Sequence, residues 1–395
     1  MKYALCVGDG MADFPMDELD GRTPLEYAST PNMDRVAALG KVGLVQTIPG
    51  GLPPGSDVAN MSLMGYDAAT YYQGRAPIEA ASMGVALNAD DVAFRCNLVT
   101  LSKGIMDDYS AGHIETDDAG ALIRELQAAL GNTRIRFYPG VSYRHLLVVS
   151  GLDAGGLSCT PPHDISGKPY EEYLPHGSGC DEINTVMNRA REILAHAETN
   201  RLRLAAGKKA ATDIWLWGQG HALTLPTLRE RYGLTGSVIS AVDLVQGLGV
   251  LAGLTVRKVY GATGYLGTNY AGKVAAAAEA LAREDFVFLH VEAPDETSHE
   301  GSVHKKMQAI EEFDRNIVGE MLAIARMHDQ FRLLVLPDHA TPVSLKTHHG
   351  AAVPFAVCGT GITREMTLGY SEKSAAGKPV ITAVRLFDAF IHGSL

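Results

Sequence analysis

Short runs of apolar residues alternate with amphipathic stretches along much of the chain, and this pattern predicts strands followed by helices. Apolar runs at 3–7, 286–291 and 332–336 each end in a polar segment, and helices are predicted over 30–39 and 304–326. Strands that alternate with helices are typical of a parallel sheet covered on both faces. We therefore predict an α/β fold whose core is a mainly parallel sheet flanked by helices.

The middle of the chain follows a different pattern, in which strand-like runs are separated by turn-rich segments. Such runs occur at 93–101 and 143–149, and a helix is predicted over 119–130 between them. We predict that residues 85–180 form an inserted, smaller α+β cap domain.

The remaining residues, 1–84 and 181–395, are then expected to form the core domain. In this interpretation the apolar runs at 214–217 and 238–241 return the chain to the core sheet.

The amino-acid composition excludes some classes of binding partner. The chain has 395 residues, 46% of them hydrophobic, with 34 Lys and Arg against 45 Asp and Glu, for a net charge of -11. An acidic protein without a basic patch is not expected to bind nucleic acid or an anionic membrane. An anionic substrate would therefore need local cations or bound metal.

The sequence also favours the cytoplasm. No apolar stretch approaches the roughly 20 residues of a membrane span, and Asp9 interrupts the first apolar run too early for a signal peptide. The 5 cysteines have no metal-type spacing, and their odd number argues against a disulfide framework.

Carboxylates and histidines follow several of the predicted strands. Asp9 ends the first strand, and Asp295 and His299 are spaced so that one helical turn would place them on one face. Two further pairs, Asp338-His339 and His348-His349, follow the strand at 332–336. Ligands gather at the carboxyl ends of parallel strands, so we expect these residues to share one site.

Each of these residues alone has a simpler interpretation as a turn, a cap or a surface histidine, but together they favour a metal centre. Mixed oxygen and nitrogen ligands suit Mn²⁺ or Zn²⁺ better than Ca²⁺ or Mg²⁺ alone, with Mg²⁺ and Co²⁺ as further possibilities. Two divalent ions close together can hold a phosphoryl group and activate a hydroxyl nucleophile.

Ser56 is the candidate nucleophile. It follows Gly55 at the start of a predicted helix, where backbone N–H groups favour a phosphate. Its local sequence is equally that of a helix N-cap.

Taken together, the motifs resemble a known family, the cofactor-independent phosphoglycerate mutases of the archaeal type within the alkaline phosphatase superfamily. The resemblance runs nearly end to end. It rests on these segments: Gly8-Asp9-Gly10, Thr23-Pro24-Leu25, Thr30-Pro31-Asn32-Met33-Asp34, Gly55-Ser56-Asp57-Val58-Ala59, Gly65-Tyr66-Asp67, Phe94-Arg95-Cys96-Asn97, Asp295 with His299, Pro337-Asp338-His339 and Thr347-His348.

The resemblance implies an isomerase of glycolysis that converts 3-phosphoglycerate into 2-phosphoglycerate through a phosphoserine at Ser56. A cap domain that closes would exclude water and so prevent hydrolysis. The ligand sets that it implies are Asp9, Ser56, Asp338 and His339 for one metal, and Asp295, His299 and His348 for the other.

A small phosphorylated carboxylate as substrate would need cations beside the metals. Arg95 and Arg144 lie in segments that match the family and are candidate bidentate clamps. Lys168 and Lys273 are further candidate cations, and His163 is a candidate for proton transfer or for contact with the substrate carboxylate.

Asn60, four residues after Ser56, stands where many members of the family carry histidine, and it can still bond a phosphate oxygen. Segments 215–220 and 264–270 resemble a bacterial side branch that has been proposed to contain homoserine kinases. A kinase that uses the same metal core is therefore the alternative, although the chain has no P-loop motif for ATP. A phosphatase or phosphodiesterase, and a non-catalytic binding protein, are favoured less.

Overall fold

The computed structural model describes residues 1–367 and 369–395. Its strands, numbered in chain order, have the following bounds: β1 Lys2–Gly8, β2 Lys41–Gln46, β3 Asp91–Ser102, β4 Ile105–Asp108, β5 Ile135–Val141, β6 Arg144–Ser150, β7 Asp213–His221, β8 Gly236–Ile239, β9 Thr255–Val256, β10 Phe286–Val291, β11 Phe331–Leu336, β12 Val353–Gly359 and β13 Val380–Thr382.

The α-helices have the following bounds: α1 Pro24–Tyr27, α2 Pro31–Leu39, α3 Ser56–Leu63, α4 Ala68–Tyr71, α5 Arg75–Ser82, α6 Thr116–Leu130, α7 Cys180–His196, α8 Glu198–Ala205, α9 Leu228–Tyr232, α10 Asp243–Leu251, α11 Tyr270–Arg283, α12 Ala293–His299, α13 Val303–Phe313, α14 Gly319–Ala325, α15 Glu372–Ala375 and α16 Ala383–His392. The long helix predicted over 304–326 is α13 and α14 joined by a π-helical turn, Asp314–Val318. Among the described residues, no helix has the length and apolarity needed to cross a membrane.

The chain forms two compact units, and residues 1–72 and 224–395 form the first. Its sheet has eight strands in the order β13-β2-β12-β11-β1-β10-β8-β9. Of the seven pairs that its described strands form, β11 with β12 and β12 with β2 are antiparallel and the other five are parallel. The predicted fold class, an α/β fold with a mainly parallel sheet, is confirmed.

The centre of this sheet brings three predicted strand ends to one edge. β1 lies between β10 and β11 and is parallel to both, with Gly8 opposite Val291 and Val7 opposite Leu336. Every residue of β10 and of β11 is buried, as expected for strands covered on both faces. The polar residues that follow β1, β10 and β11 therefore emerge side by side.

The second unit comprises residues 73–223 and contains an antiparallel five-stranded sheet of β3 to β7. Its helices α6 and α7 contribute Leu122, Leu126 and Ile183 to an apolar core that also contains Trp215. The predicted insertion over 85–180 lies inside this unit, which extends further at both ends.

The expectation that residues 214–217 return to the core sheet is wrong. These residues belong to β7, which pairs antiparallel with β3, so that Cys96 faces Leu216. An apolar run indicates a buried strand, but it does not identify the partner strand. The apolar run at 238–241 was also expected to join the core sheet. Its first two residues belong to β8, which does join this sheet beside β10.

Candidate active site

Four side chains meet where β1 and β11 end beside the start of α3. Asp9, Asp338 and His339 place ligand atoms within 4.8 Å of one another. His339 Nε2 lies 3.4 Å from Asp9 Oδ1, 3.5 Å from Asp338 Oδ2 and 3.1 Å from Ser56 Oγ. The structure thus brings together the four residues that the family resemblance implies as ligands of one metal. We call them the Asp9 group.

A second group forms at α12 and the segment after β11. Asp295 and His299 lie one turn apart on α12, and their ligand atoms lie within 4.8 Å of a ligand atom of His348. Asp295 Oδ2 is 3.0 Å from His299 Nε2 and 3.5 Å from His348 Nε2. His349 is instead packed edge-on against Phe14. We call Asp295, His299 and His348 the Asp295 group.

One oxygen of the Asp9 carboxylate lies against His290, and the other faces His339. His290 Nε2 lies 3.0 Å from Asp9 Oδ2, and Ser240 Oγ lies 3.2 Å from His290 Nδ1. The other oxygen, Asp9 Oδ1, is buried, has no hydrogen-bond partner among the described residues, and faces His339. A buried carboxylate oxygen without a partner is costly, and a bound cation would satisfy it.

Asp338 is oriented by three hydrogen bonds. Its Oδ1 accepts from the backbone N–H groups of Gly10 (3.1 Å) and His339 (2.9 Å), and its Oδ2 accepts from Asn60 Nδ2 (2.8 Å). Asn60 Nδ2 also donates to Ser56 O at 2.8 Å. Asn60 thus ties the start of α3 to Asp338, and its contact with a phosphate oxygen stays a prediction.

Ser56 is the first residue of α3, and Gly55 occupies the N-cap position. Because Gly55 and not Ser56 is the N-cap residue, the interpretation of Ser56 as an N-cap is wrong. Its hydroxyl lies instead against His339. Because the serine stands at a helix N-terminus, first-turn backbone N–H groups that lack an intrahelical partner favour an anion bound there. One of them, the N–H of Val58, donates to Asp57 Oδ1 at 2.9 Å.

The electrostatics of the two groups differ. Burial raises the pKa of Asp9 well above its ordinary value, and the Asp338 carboxylate raises it further. Burial also raises the pKa of Asp295, but hydrogen bonds from His299 and His348 outweigh it and hold this pKa well below the ordinary value. Asp295 in turn raises the pKa of His299 to about 9.

These shifts fit a metal centre. Asp9 and Asp338 are two buried carboxylates with ligand atoms within 4.8 Å of each other, and such carboxylates repel unless a cation compensates their charge. The donor set of carboxylate oxygens, imidazole nitrogens and one hydroxyl is also one that Mn²⁺ and Zn²⁺ accept.

The predicted substrate-binding cations fall in both units. In the second unit Arg95 is buried, donates from Nε to Glu79 Oε2 at 2.8 Å, and stacks on Trp217 with 4.1 Å between its Cζ and the ring centroid. Arg144 is exposed and lies 5.7 Å from the Tyr143 ring.

His163 packs edge-on against Trp217, and Lys168 Nζ donates to Asp164 O at 2.9 Å. In the first unit Lys273 is fully buried, and its Nζ donates to His290 O at 2.9 Å. Burial lowers the pKa of Lys273 to about 8.

Three buried residues around the site were not identified from the sequence: His290, Lys306 and Thr341. His290 interrupts an otherwise apolar strand, and Lys306 lies on the same helical face as Ile310 and Phe313. Each is a polar residue at a position that the pattern predicts to be buried, and this signal could have identified both. Thr341 carried no signal beyond its nearness to His339.

Comparison with known proteins identifies the family. A family model described as 2,3-bisphosphoglycerate-independent phosphoglycerate mutase matches residues 37–200. A protein of that name from Methanosarcina barkeri is 54% identical over 389 residues, covering 98% of each chain.

Two solved structures share the fold along nearly the whole chain. A protein from Pyrococcus horikoshii is 28% identical with a TM-score of 0.83, covering 99% of this chain and 97% of its own. A cofactor-independent phosphoglycerate mutase from Thermoplasma acidophilum is 26% identical with a TM-score of 0.67, covering 99% of each chain. The chain therefore belongs to the family of 2,3-bisphosphoglycerate-independent phosphoglycerate mutases.

Proposed function

We propose that this chain interconverts 3-phosphoglycerate and 2-phosphoglycerate without 2,3-bisphosphoglycerate, by way of a phosphoserine at Ser56. The observation that carries the proposal is the position of the Ser56 hydroxyl, 3.1 Å from His339 Nε2 within the Asp9 group. A nucleophile at a helix N-terminus, beside two groups of metal-type ligands, is suited to phosphoryl transfer.

Two divalent metal ions, Mn²⁺ or Zn²⁺, would be held by the Asp9 group and the Asp295 group. When bound, such ions neutralise charge on the phosphoryl oxygens and make a nearby hydroxyl more acidic. The protein's own contribution is to hold the ligands fixed, through His290 behind Asp9 and Asn60 behind Asp338.

In the first transfer Ser56 Oγ forms a bond to phosphorus while the bond between phosphorus and the 3-oxygen of the substrate breaks. The proton that leaves Ser56 is balanced by the proton that the 3-oxygen takes up. In the second transfer the 2-oxygen of the glycerate forms a bond to phosphorus while the bond between phosphorus and Ser56 Oγ breaks, and 2-phosphoglycerate forms. The proton that leaves the 2-hydroxyl is balanced by the proton that Ser56 Oγ takes up.

The substrate is a small phosphorylated carboxylate, and cationic side chains are expected to bind its two anionic ends. Arg95 is a candidate because Glu79 and Trp217 fix its guanidinium and so reduce the entropy lost on binding. Roles for Arg144, His163, Lys168 and Lys273 in substrate binding remain predictions.

The homoserine kinase alternative is disfavoured. The relative from Methanosarcina barkeri, 54% identical along nearly the whole chain, is named a mutase. The chain also has no P-loop motif for ATP.

Replacement of the nucleophile tests the proposal. Ser56→Ala should abolish mutase turnover and the phosphoserine detected by mass spectrometry after a rapid acid quench. Ser62→Ala is a matched control, since Ser62 lies on the same helix and is buried, and among the described residues its hydroxyl donates to Val58 O at 2.9 Å, away from both ligand groups. Turnover by Ser56→Ala at the rate of this control would refute the covalent mechanism.

A further inference from the structure

The hydroxyl of Thr341 joins the two ligand groups. Thr341 is fully buried, two residues after His339. Its Oγ1 donates a short hydrogen bond to Asp295 Oδ1 and lies 3.1 Å from His339 Nδ1. One side chain therefore contacts a ligand of the Asp295 group and a ligand of the Asp9 group, in each case on the atom that faces away from the other ligands.

The number of protons available on these groups determines which atom donates in each of the two hydrogen bonds. A threonine hydroxyl has one proton, and an ionised carboxylate can only accept. Because the Thr341 proton goes to Asp295, the contact with His339 requires that Nδ1 of the imidazole carry a proton and donate it. In a neutral imidazole the other nitrogen, Nε2, then has a free lone pair.

That free nitrogen is the one inside the site. His339 Nε2 faces Asp9 Oδ1, Asp338 Oδ2 and Ser56 Oγ. On the other side, the contact of Thr341 with Asp295 Oδ1 leaves Oδ2 directed at His299, 3.0 Å away. The hydroxyl thus selects the tautomer of one ligand and the rotation of another.

The backbone of Thr341 is held independently of its side chain. Its N–H donates to Ala12 O at 3.2 Å, and its carbonyl accepts from Lys306 Nζ at 2.9 Å. Loss of the hydroxyl alone should therefore leave the segment after β11 in place.

We propose that Thr341 is a positioning residue that prepares both ligand groups for metal at once, through the tautomer of His339 and the orientation of Asp295. The proposal rests on the metal sites put forward under Proposed function. Groups that orient metal ligands from behind commonly change metal affinity about 10- to 100-fold when they are removed.

The test is Mn²⁺ binding to the metal-stripped full chain, measured by calorimetry. Thr341→Val keeps the shape but removes the hydroxyl, and it should weaken Mn²⁺ binding at both sites about 10- to 100-fold. Thr341→Ser retains the hydroxyl and should restore binding. Thr47→Val is the matched control, because the Thr47 hydroxyl is also fully buried but has no hydrogen-bond partner in the part of the chain that the structure describes.

An Asp295→Asn variant distinguishes an error in the assigned metal site from an error in the role of Thr341. If this variant binds two Mn²⁺ ions as tightly as the wild type, the assignment of the metal site itself is wrong. If Asp295→Asn loses affinity while Thr341→Val binds like Thr47→Val, the metal site stands and the role of Thr341 is overturned. A loss in Thr341→Val that Thr341→Ser does not reverse would also overturn it, because the hydroxyl would then not be the cause.

Discussion

The buried ammonium of Lys306 offers a quantitative test of how the site is held together. Its Nζ donates to Asp13 Oδ2 at 2.8 Å, to Thr341 O at 2.9 Å and to Ala12 O at 3.0 Å, and the side chain has no exposed surface. The segment after β1 carries Asp9, and the segment after β11 carries His339. Lys306 therefore connects the two segments that supply the Asp9 group.

Lys306→Met removes the charge and keeps much of the side-chain volume. Removal of one member of a buried ion pair typically costs about 3–5 kcal/mol, because the other charge stays buried without its partner. Here Asp13 keeps two backbone donors, the N–H groups of Phe14 and Val343. We therefore expect a loss near the lower end, about 3 kcal/mol of the free energy of unfolding.

Urea unfolding followed by circular dichroism measures this loss. The protein should be stripped of metal first, so that changed metal affinity does not contribute to the measured stability. Lys305→Met is the matched control, since the neighbouring Lys305 forms an exposed ion pair with Glu300 and a hydrogen bond to the Tyr265 hydroxyl at the surface, so its loss should change stability little.

A double variant checks the cause. In Lys306→Met with Asp13→Asn the unpaired charge is absent, so part of the lost stability should return. If Lys306→Met were as stable as Lys305→Met, the buried ion pair would not hold the two segments together.

Two further predictions concern groups near the site. His290→Leu removes the donor behind Asp9 and should weaken Mn²⁺ binding at the Asp9 group about 10- to 100-fold, as measured by calorimetry. The buried His145 of the second unit supplies the control His145→Leu, and equal affinities in the two variants would contradict this role. Burial raises the pKa of Glu372 from 4.5 to about 7, so the folded protein holds this proton more tightly than the unfolded chain does. The Glu372 contribution to stability is therefore lost as the pH rises from about 4.5 to about 7, and the Glu372→Gln variant should gain at most about 3 kcal/mol relative to the wild type across that window. Urea unfolding of both proteins at pH 5 and pH 8 measures this gain, and an unchanged difference would rule it out.

The sequence was sufficient to group the candidate site residues that directly follow a predicted strand. Asp9, Asp295 and Asp338 could be grouped because each follows a predicted strand, and parallel strands end at one edge. The spacing of Asp295 and His299 corresponds to a real helical turn in α12.

The sequence analysis could not predict contacts between residues that are far apart in the chain. The partner of β7 depends on contacts with β3, more than 100 residues earlier in the chain, which no local pattern encodes. The same holds for Thr341, whose hydroxyl acts only because folding places it between Asp295 and His339. Buried polar residues inside apolar patterns, such as His290, were the signals that local analysis could have used.

The central claim is tested most directly by the conversion of 3-phosphoglycerate into 2-phosphoglycerate by the purified chain, with Mn²⁺ present and 2,3-bisphosphoglycerate absent. The account predicts turnover that a chelator abolishes and that added Mn²⁺ restores. Folded protein with two bound Mn²⁺ ions and no turnover would contradict it. Phosphorylation of homoserine by ATP would then be the next activity to measure.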